Sequence, residues 1–179
     1  GPNGIPTKLL RPTAASRWKA WLMTSSTQAS SHRTSEHHSF KKFDWRVKWA
    51  DALDPSSFEQ AITPRTRAIF CESIANPGGV ITDIEAIASI ARRAGVPLIV
   101  DNTLATPYLC KPIDYGADIV VHSLTKFLGG HGNSIGGMIV DGGTFDWSRG
   151  GRYPMLSEPR PEYHGIVLHE TFGNFAFAI

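Results

Sequence analysis

A lysine, two hydroxyls and a glycine-rich loop follow one another within one short stretch of this chain. An apolar run, residues 119–121, opens the stretch, and a second apolar run, residues 138–140, closes it. Between the two runs stand Ser123, Thr125 and Lys126, followed by glycines at positions 129, 130, 132, 136 and 137. A strand that ends in hydroxyls and an amine beside such a loop indicates a phosphate site next to a reactive amine.

Two earlier strand-like runs also end in polar side chains. Asp101 directly follows the apolar run 98–100, and Asn76 comes shortly after the run 67–72. In an open parallel sheet, ligands bind outside the carboxyl ends of the strands. If the three strands are neighbours, a carboxylate, an amide, two hydroxyls and an amine converge on one crevice.

This set of groups matches what pyridoxal phosphate (PLP) requires from a protein. The aldehyde needs an amine, the phosphate needs hydroxyl and N–H donors, and the ring nitrogen needs an acid that keeps it protonated. Lys126 is the expected Schiff-base amine, because burial and nearby cations can lower a lysine pKa from about 10.4. Asp101 is the expected partner of the ring nitrogen. Ser123 and Thr125 are expected to contact the phosphate, and Asn76 the phenolic oxygen.

Each residue taken singly also has a simpler interpretation. Asp101 suits a turn, Ser123 and Thr125 suit local caps, and an isolated Lys126 is most often a surface charge. His122 suits a packed or exposed histidine and lacks support as a metal ligand. The glycines lack the Gly-Lys-Ser/Thr ending of a P-loop, and no Gly-x-Gly-x-x-Gly opens a long helix. Four independent matches at successive strand ends favour the cofactor site over these alternatives.

Length and composition narrow the class of protein. The chain has 179 residues, a net charge of +2 and 41% hydrophobic residues, which predicts one globular domain and no nucleic-acid partner. No apolar run reaches transmembrane length and no secretory signal is evident, so we expect a cytoplasmic protein without a membrane partner. Cys71 and Cys110 match no metal or redox spacing, which fits a reducing compartment.

The chain divides into two parts that differ in composition and in hydrophobic pattern. Residues 1–38 are rich in polar residues and proline, which predicts a disordered leader outside the fold. From residue 39 onward, strands and helices alternate at α/β spacing, which predicts a mostly parallel sheet covered by helices. The predicted strands lie at 45–49, 67–72, 98–100 and 119–121. One predicted helix runs from Asp54 to Ile62, and a second begins with a Thr82–Glu85 capping box and ends at Gly95.

Three segments at the strand ends resemble the signature segments of the Cys/Met-metabolism PLP-dependent enzymes: Glu72-Ser73-Ile74-Ala75-Asn76-Pro77, Val100-Asp101-Asn102-Thr103 and His122-Ser123-Leu124-Thr125-Lys126. The loop at 129–137 and the segments at 106–110 and 170–174 are similar to the O-acetylhomoserine sulfhydrylase subgroup. The resemblance covers about residues 40–179.

The resemblance implies the aspartate-aminotransferase-like fold, type I, of which residues 39–179 would be part of the large PLP-binding domain. It also implies γ-replacement in sulfur amino-acid biosynthesis: O-acetylhomoserine reacts with sulfide to give homocysteine and acetate, and some relatives make cysteine from O-acetylserine. Lys126 matches the Schiff-base lysine and proton shuttle, Asp101 the pyridinium partner, Ser123 and Thr125 the phosphate contacts, and Asn76 a cofactor-oxygen contact. Relatives are homo-oligomers, as dimers or tetramers.

The chain also departs from the family pattern. Relatives are longer, and they carry a cofactor-stacking tyrosine and a phosphate loop upstream, and a carboxylate-binding arginine downstream. Neither the tyrosine nor the phosphate loop is found upstream of residue 76, and we expect the C-terminal domain that carries the arginine to be absent from this chain. The alternative expectation is therefore a truncated and catalytically inactive relative that acts as a fragment or as an interaction partner.

Overall fold

The computed structural model describes residues 19–25 and 45–174, with the exception of residue 77. Within these residues the strands are β1 (Lys19–Ser25), β2 (Trp45–Asp51), β3 (Thr66–Glu72), β4 (Leu98–Asp101), β5 (Ile119–Ser123) and β6 (Gly137–Asp141). The helices are α1 (Pro55–Ala61), α2 (Ile84–Ala94), α3 (Thr106–Leu109), α4 (Pro154–Ser157) and α5 (Leu168–Phe172), with a π-helix at Leu124–Leu128 and 3₁₀ turns at Pro112–Tyr115, Arg149–Gly151 and Pro161–Tyr163.

The described strands form one sheet in the order β2-β1-β3-β4-β5-β6. β3, β4 and β5 are parallel neighbours, while β1 is antiparallel to both of its neighbours and β6 is antiparallel to β5. β2 and the three parallel strands therefore run in the same direction, against β1 and β6. The sheet is mixed and mostly parallel, as the alternation of strand and helix predicted.

Helix α2 covers one face of this sheet and carries much of the core. Its isoleucines and alanines recur at helical spacing, and Ile87, Ala88 and Ala91 are buried against Leu98 and Val100 and other apolar side chains of the strands. Burying a large apolar side chain such as Ile87 or Leu98 contributes about 1.5–3 kcal/mol. The helix therefore packs against all three parallel strands, β3, β4 and β5, in one apolar layer.

The predicted C-terminus of α2 is confirmed, whereas the predicted N-terminal cap is wrong. Gly95 ends the helix in the left-handed conformation (φ +66°), as predicted. The predicted capping box is wrong, because Asp83 is the N-cap and its side chain accepts a hydrogen bond from the N–H of Ala86. The hydroxyl of Thr82 instead donates to the carbonyl of Glu72 at 2.7 Å, which ties the helix start to the end of β3.

The opposite face of the sheet is covered by the segment after β6. Phe145, Trp147 and Tyr153 pack edge to face, with ring centroids 4.8–5.5 Å apart. Trp147 is buried against Ile119, and the Tyr153 hydroxyl donates to the carbonyl of Arg67 at 2.8 Å. Burial raises the pKa of Tyr153, so this hydroxyl stays a donor. These contacts hold the C-terminal segment under the parallel strands.

Strand β1 lies within the segment that the sequence reading assigned to a disordered leader. For residues 19–25 that expectation differs from the structure, since β1 pairs with β2 on one side and with β3 on the other. Residues 20–23 form an uninterrupted apolar run, which is typical of strands inside a sheet and lacks the alternation used to recognise strands at the surface. Residues 1–18 and 26–38 lie outside the described residues, and the division at residue 38 otherwise stays a prediction.

No helix among the described residues is long and apolar enough to cross a membrane. At one edge of the sheet, β6 pairs only with β5 among the described strands. Its apolar side chains Met138, Ile139 and Val140 are exposed, with Ile139 at 69%. One edge of the described sheet is therefore the apolar strand β6, which directly follows the glycine-rich loop in the chain.

Candidate functional site

The carboxyl ends of β3, β4 and β5 meet at one edge of the sheet, as the sequence predicted. Glu72 of β3 pairs with Asp101 of β4, and Asp101 pairs with Val121 of β5. Ser123 ends β5 two residues later, so its side chain lies on the same face as Val121 and Asp101. The structure therefore brings the predicted carboxylate and the first predicted hydroxyl to the same corner of the sheet.

Asp101 is held in place by backbone groups around it. Its Oδ1 accepts a hydrogen bond from the N–H of Thr103 at 2.9 Å, and its carbonyl accepts from the N–H of Ser73 at 2.9 Å. Thr103 also accepts at Oγ1 from the N–H of Ser123 at 2.8 Å. The carboxylate and the Ser123 end of β5 are thus joined through one threonine.

Thr103 is a residue of this site that sequence reasoning did not assign a role. It sits two positions after the strand-end aspartate, where an Asp side chain commonly bonds the backbone N–H two residues on. That spacing predicts the contact from Thr103 to Asp101. The contact from Ser123 to Thr103 spans 20 residues and depends on the parallel pairing of β4 with β5, which no local pattern encodes.

Lys126 lies in the π-helix that follows β5 directly. Its backbone (φ −90°, ψ −124°) is not helical, so the lysine interrupts the π turn. Such turns are rare and frequently occur at functional sites. The side chain is exposed, and its ammonium makes no hydrogen bond or ion pair with any described residue. Lys126 therefore follows the strand end that carries Ser123 closely in the chain, and its side chain is accessible to a ligand.

The hydroxyl of Thr125 is engaged with the glycine-rich loop. It accepts from the N–H of Gly136 at 3.0 Å and lies 3.3 Å from the Gly136 carbonyl, to which it donates. These bonds close the loop 129–136 onto the π-helix. A phosphate contact at this position would replace the Gly136 carbonyl as the acceptor of the hydroxyl proton.

Asn76 lies on the turn after β3, at the same edge of the sheet as Asp101. It is exposed, and its N–H donates to Oε2 of Glu72 at 2.8 Å. Pro77 lies outside the described residues. Asn76 thus lies at the predicted edge of the sheet. Its role toward a cofactor stays a prediction, as do those of Asp101, Ser123, Thr125 and Lys126.

A cleft of about 700 Å³ lies at the opposite end of the strands. Val96 and Asp118, which precede β4 and β5, contribute to its lining. Burial raises the pKa of Asp118, and the hydrogen bond that its Oδ2 accepts from the N–H of Leu98 at 2.9 Å opposes this shift. Because ligands of such sheets bind at the carboxyl ends of the strands, this cleft does not belong to the candidate site.

Comparison with known proteins identifies the family. The model of the Cys/Met metabolism PLP-dependent enzymes matches residues 14–156, well over half of the chain's 179 residues. The chain is 49% identical to O-acetyl-L-homoserine sulfhydrylase of Leptospira meyeri over 139 residues, covering 78% of this chain and 31% of the relative. It is 52% identical to homocysteine synthase of Schizosaccharomyces pombe over 134 residues, covering 74% of this chain and 31% of the relative. The chain thus spans about a third of the length of the curated relatives it matches.

Two solved structures are also similar. One is a protein of Campylobacter jejuni described as an O-acetylhomoserine (thiol)-lyase with N'-pyridoxyl-lysine-5'-monophosphate, at 38% identity and a TM-score of 0.71 over 74% of this chain and 33% of that chain. The other is cystathionine γ-lyase of Lactobacillus plantarum, at 48% identity and a TM-score of 0.51 over 52% of this chain and 25% of that chain. These likenesses confirm the predicted α/β fold class of PLP-dependent enzymes. The family match begins before residue 38, in agreement with the place of β1 in the sheet. The chain belongs to the Cys/Met metabolism PLP-dependent enzyme family.

Proposed function

We propose that this chain carries the central part of a PLP site that serves γ-replacement on O-acetylhomoserine. One observation carries the proposal: in a family whose members use PLP, the adjacent parallel strands β4 and β5 end in an acid and a hydroxyl, and an amine without a partner among the described residues follows β5. Bound PLP would act as the electron sink that stabilises negative charge on the substrate carbon. The donor set at this edge fits that cofactor.

The residues divide the work by their chemistry. The carboxylate of Asp101 would hold a proton on the ring nitrogen. The hydroxyl of Ser123 and, after release of the Gly136 carbonyl, that of Thr125 would donate to the phosphate. Lys126 would bind the cofactor through Nζ and would carry protons at this atom during turnover.

The names of the relatives support the substrates. The matched proteins include O-acetyl-L-homoserine sulfhydrylases and a homocysteine synthase. We therefore propose O-acetylhomoserine and sulfide as substrates, and homocysteine and acetate as products. A homo-oligomeric state and a cytoplasmic location stay predictions.

The first experiment tests the cofactor site. The full chain is incubated with PLP, reduced with borohydride and digested, and the labelled lysine is mapped by mass spectrometry. We expect the label on Lys126, absorbance from the bound cofactor, and loss of both in Lys126→Ala. Lys111→Ala and His131→Ala, which remove exposed side chains elsewhere and in the glycine-rich loop, should retain both. A folded chain without label at Lys126 would refute the site.

The second experiment tests the reaction. Homocysteine is measured after incubation of the PLP-loaded chain with O-acetylhomoserine, with and without sulfide. Sulfide-dependent homocysteine that disappears in Lys126→Ala is the expected result. Cofactor binding without turnover would leave the PLP site in place and favour the alternative of an inactive relative.

A further inference from the structure

Two buried polar atoms on the α2 side of the sheet have no hydrogen-bond partner among the described residues. They are Oδ1 of Asn102 and Nδ1 of His122. Asn102 is fully buried and His122 is 5% exposed. Buried polar atoms of this kind are nearly always satisfied in folded proteins, so each needs an explanation.

The two atoms belong to neighbouring positions of β4 and β5. Asp101 pairs with Val121, and the N–H of Asn102 donates to the carbonyl of Val121 at 2.9 Å, which extends the parallel ladder by one residue. Asn102 therefore stands beside His122. Because side chains alternate along a strand, both residues lie on the face opposite to Asp101 and Ser123.

The two atoms are chemically complementary. Nδ2 of Asn102 donates to the carbonyl of Cys110 at 2.8 Å, which leaves Oδ1 as an acceptor. A neutral imidazole has one donor and one acceptor nitrogen, so the tautomer with a proton on Nδ1 offers the missing donor. A hydrogen bond between them, made directly after a rotation of the ring or through one water, satisfies both atoms at once.

We infer that Asn102 and His122 form a buried polar pair that holds the end of β4 against the end of β5 and so positions Asp101 relative to Ser123. On the other face, Thr103 joins the same two strand ends through its contacts at 2.9 and 2.8 Å. Hydrogen bonds therefore join the ends of β4 and β5 on both faces of the sheet. The inference rests on the proposed function, in which Asp101 and Ser123 hold opposite ends of the cofactor. Asn102 and His122 are positioning residues and do not touch the cofactor themselves.

The first test needs no cofactor. In the ¹⁵N-histidine-labelled chain, the imidazole nitrogen shifts of His122 report which nitrogen carries the proton, with the signal assigned by its loss in His122→Asn. We expect the Nδ1–H tautomer in the unmodified chain and a change of tautomer in Asn102→Leu, which removes the acceptor and keeps the volume. An Nε2–H tautomer, or no response to Asn102→Leu, would overturn the pair.

The second test measures positioning. Hydrogen exchange of the Ser123 amide, which is bonded to Thr103, reports the junction directly. We expect His122→Phe and Asn102→Leu to speed this exchange about tenfold, because loss of a residue that positions a site commonly weakens the site by about that factor. His122→Asn, whose amide can replace Nδ1 as donor, should restore most of the protection. Val120→Ala, a buried change on the same face of β5, is the matched packing control and should have less than about a threefold effect.

The affinity for PLP then separates this inference from the proposed function. We expect the dissociation constant to rise about tenfold in His122→Phe and Asn102→Leu, and to recover in His122→Asn. If the unmodified chain binds no PLP, the proposed function fails, and the Ser123 exchange still decides the pair. If PLP binds and both variants bind it and exchange like Val120→Ala, the positioning role is refuted.

Discussion

Two regions meet at Ser123 and differ in how they are held. The core region consists of β3, α2, β4 and β5, and its side chains Ile69, Ile87 and Leu98 are fully buried. The loop region consists of residues 124–141, which are exposed to solvent at almost every position, with Ile135 at 98%. Asp101 belongs to the first region, whereas Lys126 belongs to the second.

This difference separates stability from cofactor binding. The place of Asp101 follows from a packed layer and a ladder of strand pairs. The place of Lys126 follows from the π-helix and from the bonds that Thr125 and Gly129 make within the loop region. Substitutions in the core region should therefore change the free energy of unfolding, while those in the loop region should change binding with little loss of stability. Three predictions test this contrast, beginning with the largest expected effect.

Leu98→Ala should lower the free energy of unfolding by about 2–5 kcal/mol, because it leaves a cavity beneath α2. Ile139→Ala on β6 removes a side chain of similar size that is 69% exposed, and should cost less than about 0.5 kcal/mol. Urea unfolding of both variants provides the measurement. Equal losses would mean that the loop region contributes to the core after all.

The thiol of Cys71 should give the core region a pH dependence. Burial, with a smaller contribution from Glu72, raises its pKa from 9.0 to about 12. Between these values the folded chain keeps the proton that the unfolded chain releases, so the free energy of unfolding falls as the pH rises, by about 1.4 kcal/mol per pH unit. Urea unfolding at pH 8, 9 and 10 should show wild type losing stability relative to Cys71→Ala. Cys110→Ala should retain this dependence, and parallel curves for wild type and Cys71→Ala would contradict it.

Thr125→Val should loosen the glycine-rich loop with a small effect on the whole fold. The substitution keeps the shape and removes the hydroxyl that bonds Gly136, which costs about 0.5–1.5 kcal/mol locally. Hydrogen exchange of the Gly136 amide should accelerate about tenfold, while amides of β4 should not change. Thr125→Ser keeps the hydroxyl and serves as the control. Acceleration in β4 as well would show that the two regions are coupled.

The sequence predicted the core region well because that region depends on local and repeating signals. These signals are the apolar runs of β3, β4 and β5, the isoleucine spacing of α2 and the glycine that ends α2 at position 95. The strand ends then follow from the parallel order. The predicted site residues Asp101 and Ser123 come together for this reason.

Other features were not predictable from local pattern. The sequence did not predict β1, because an interior strand lacks the alternation of apolar and polar residues. The N-cap of α2 is Asp83 and not Thr82, because the Thr82 hydroxyl donates to the carbonyl of Glu72, 10 residues away. The π-helix around Lys126 and the bridge through Thr103 depend on contacts between distant parts of the chain. Each of these is a tertiary effect that overrides a local rule.

The edge strand β6 has a practical consequence for handling the protein. A strand with exposed apolar side chains and one side unpaired among the described strands is a template for pairing with another chain. We therefore expect it to promote aggregation at high concentration. A lysine in place of Ile139 puts a charge on that edge without entering the core region, and charged edges are a common natural defence against such pairing. Light scattering of the Ile139→Lys chain against the unmodified one measures how much of the protein's solubility is decided at this single strand.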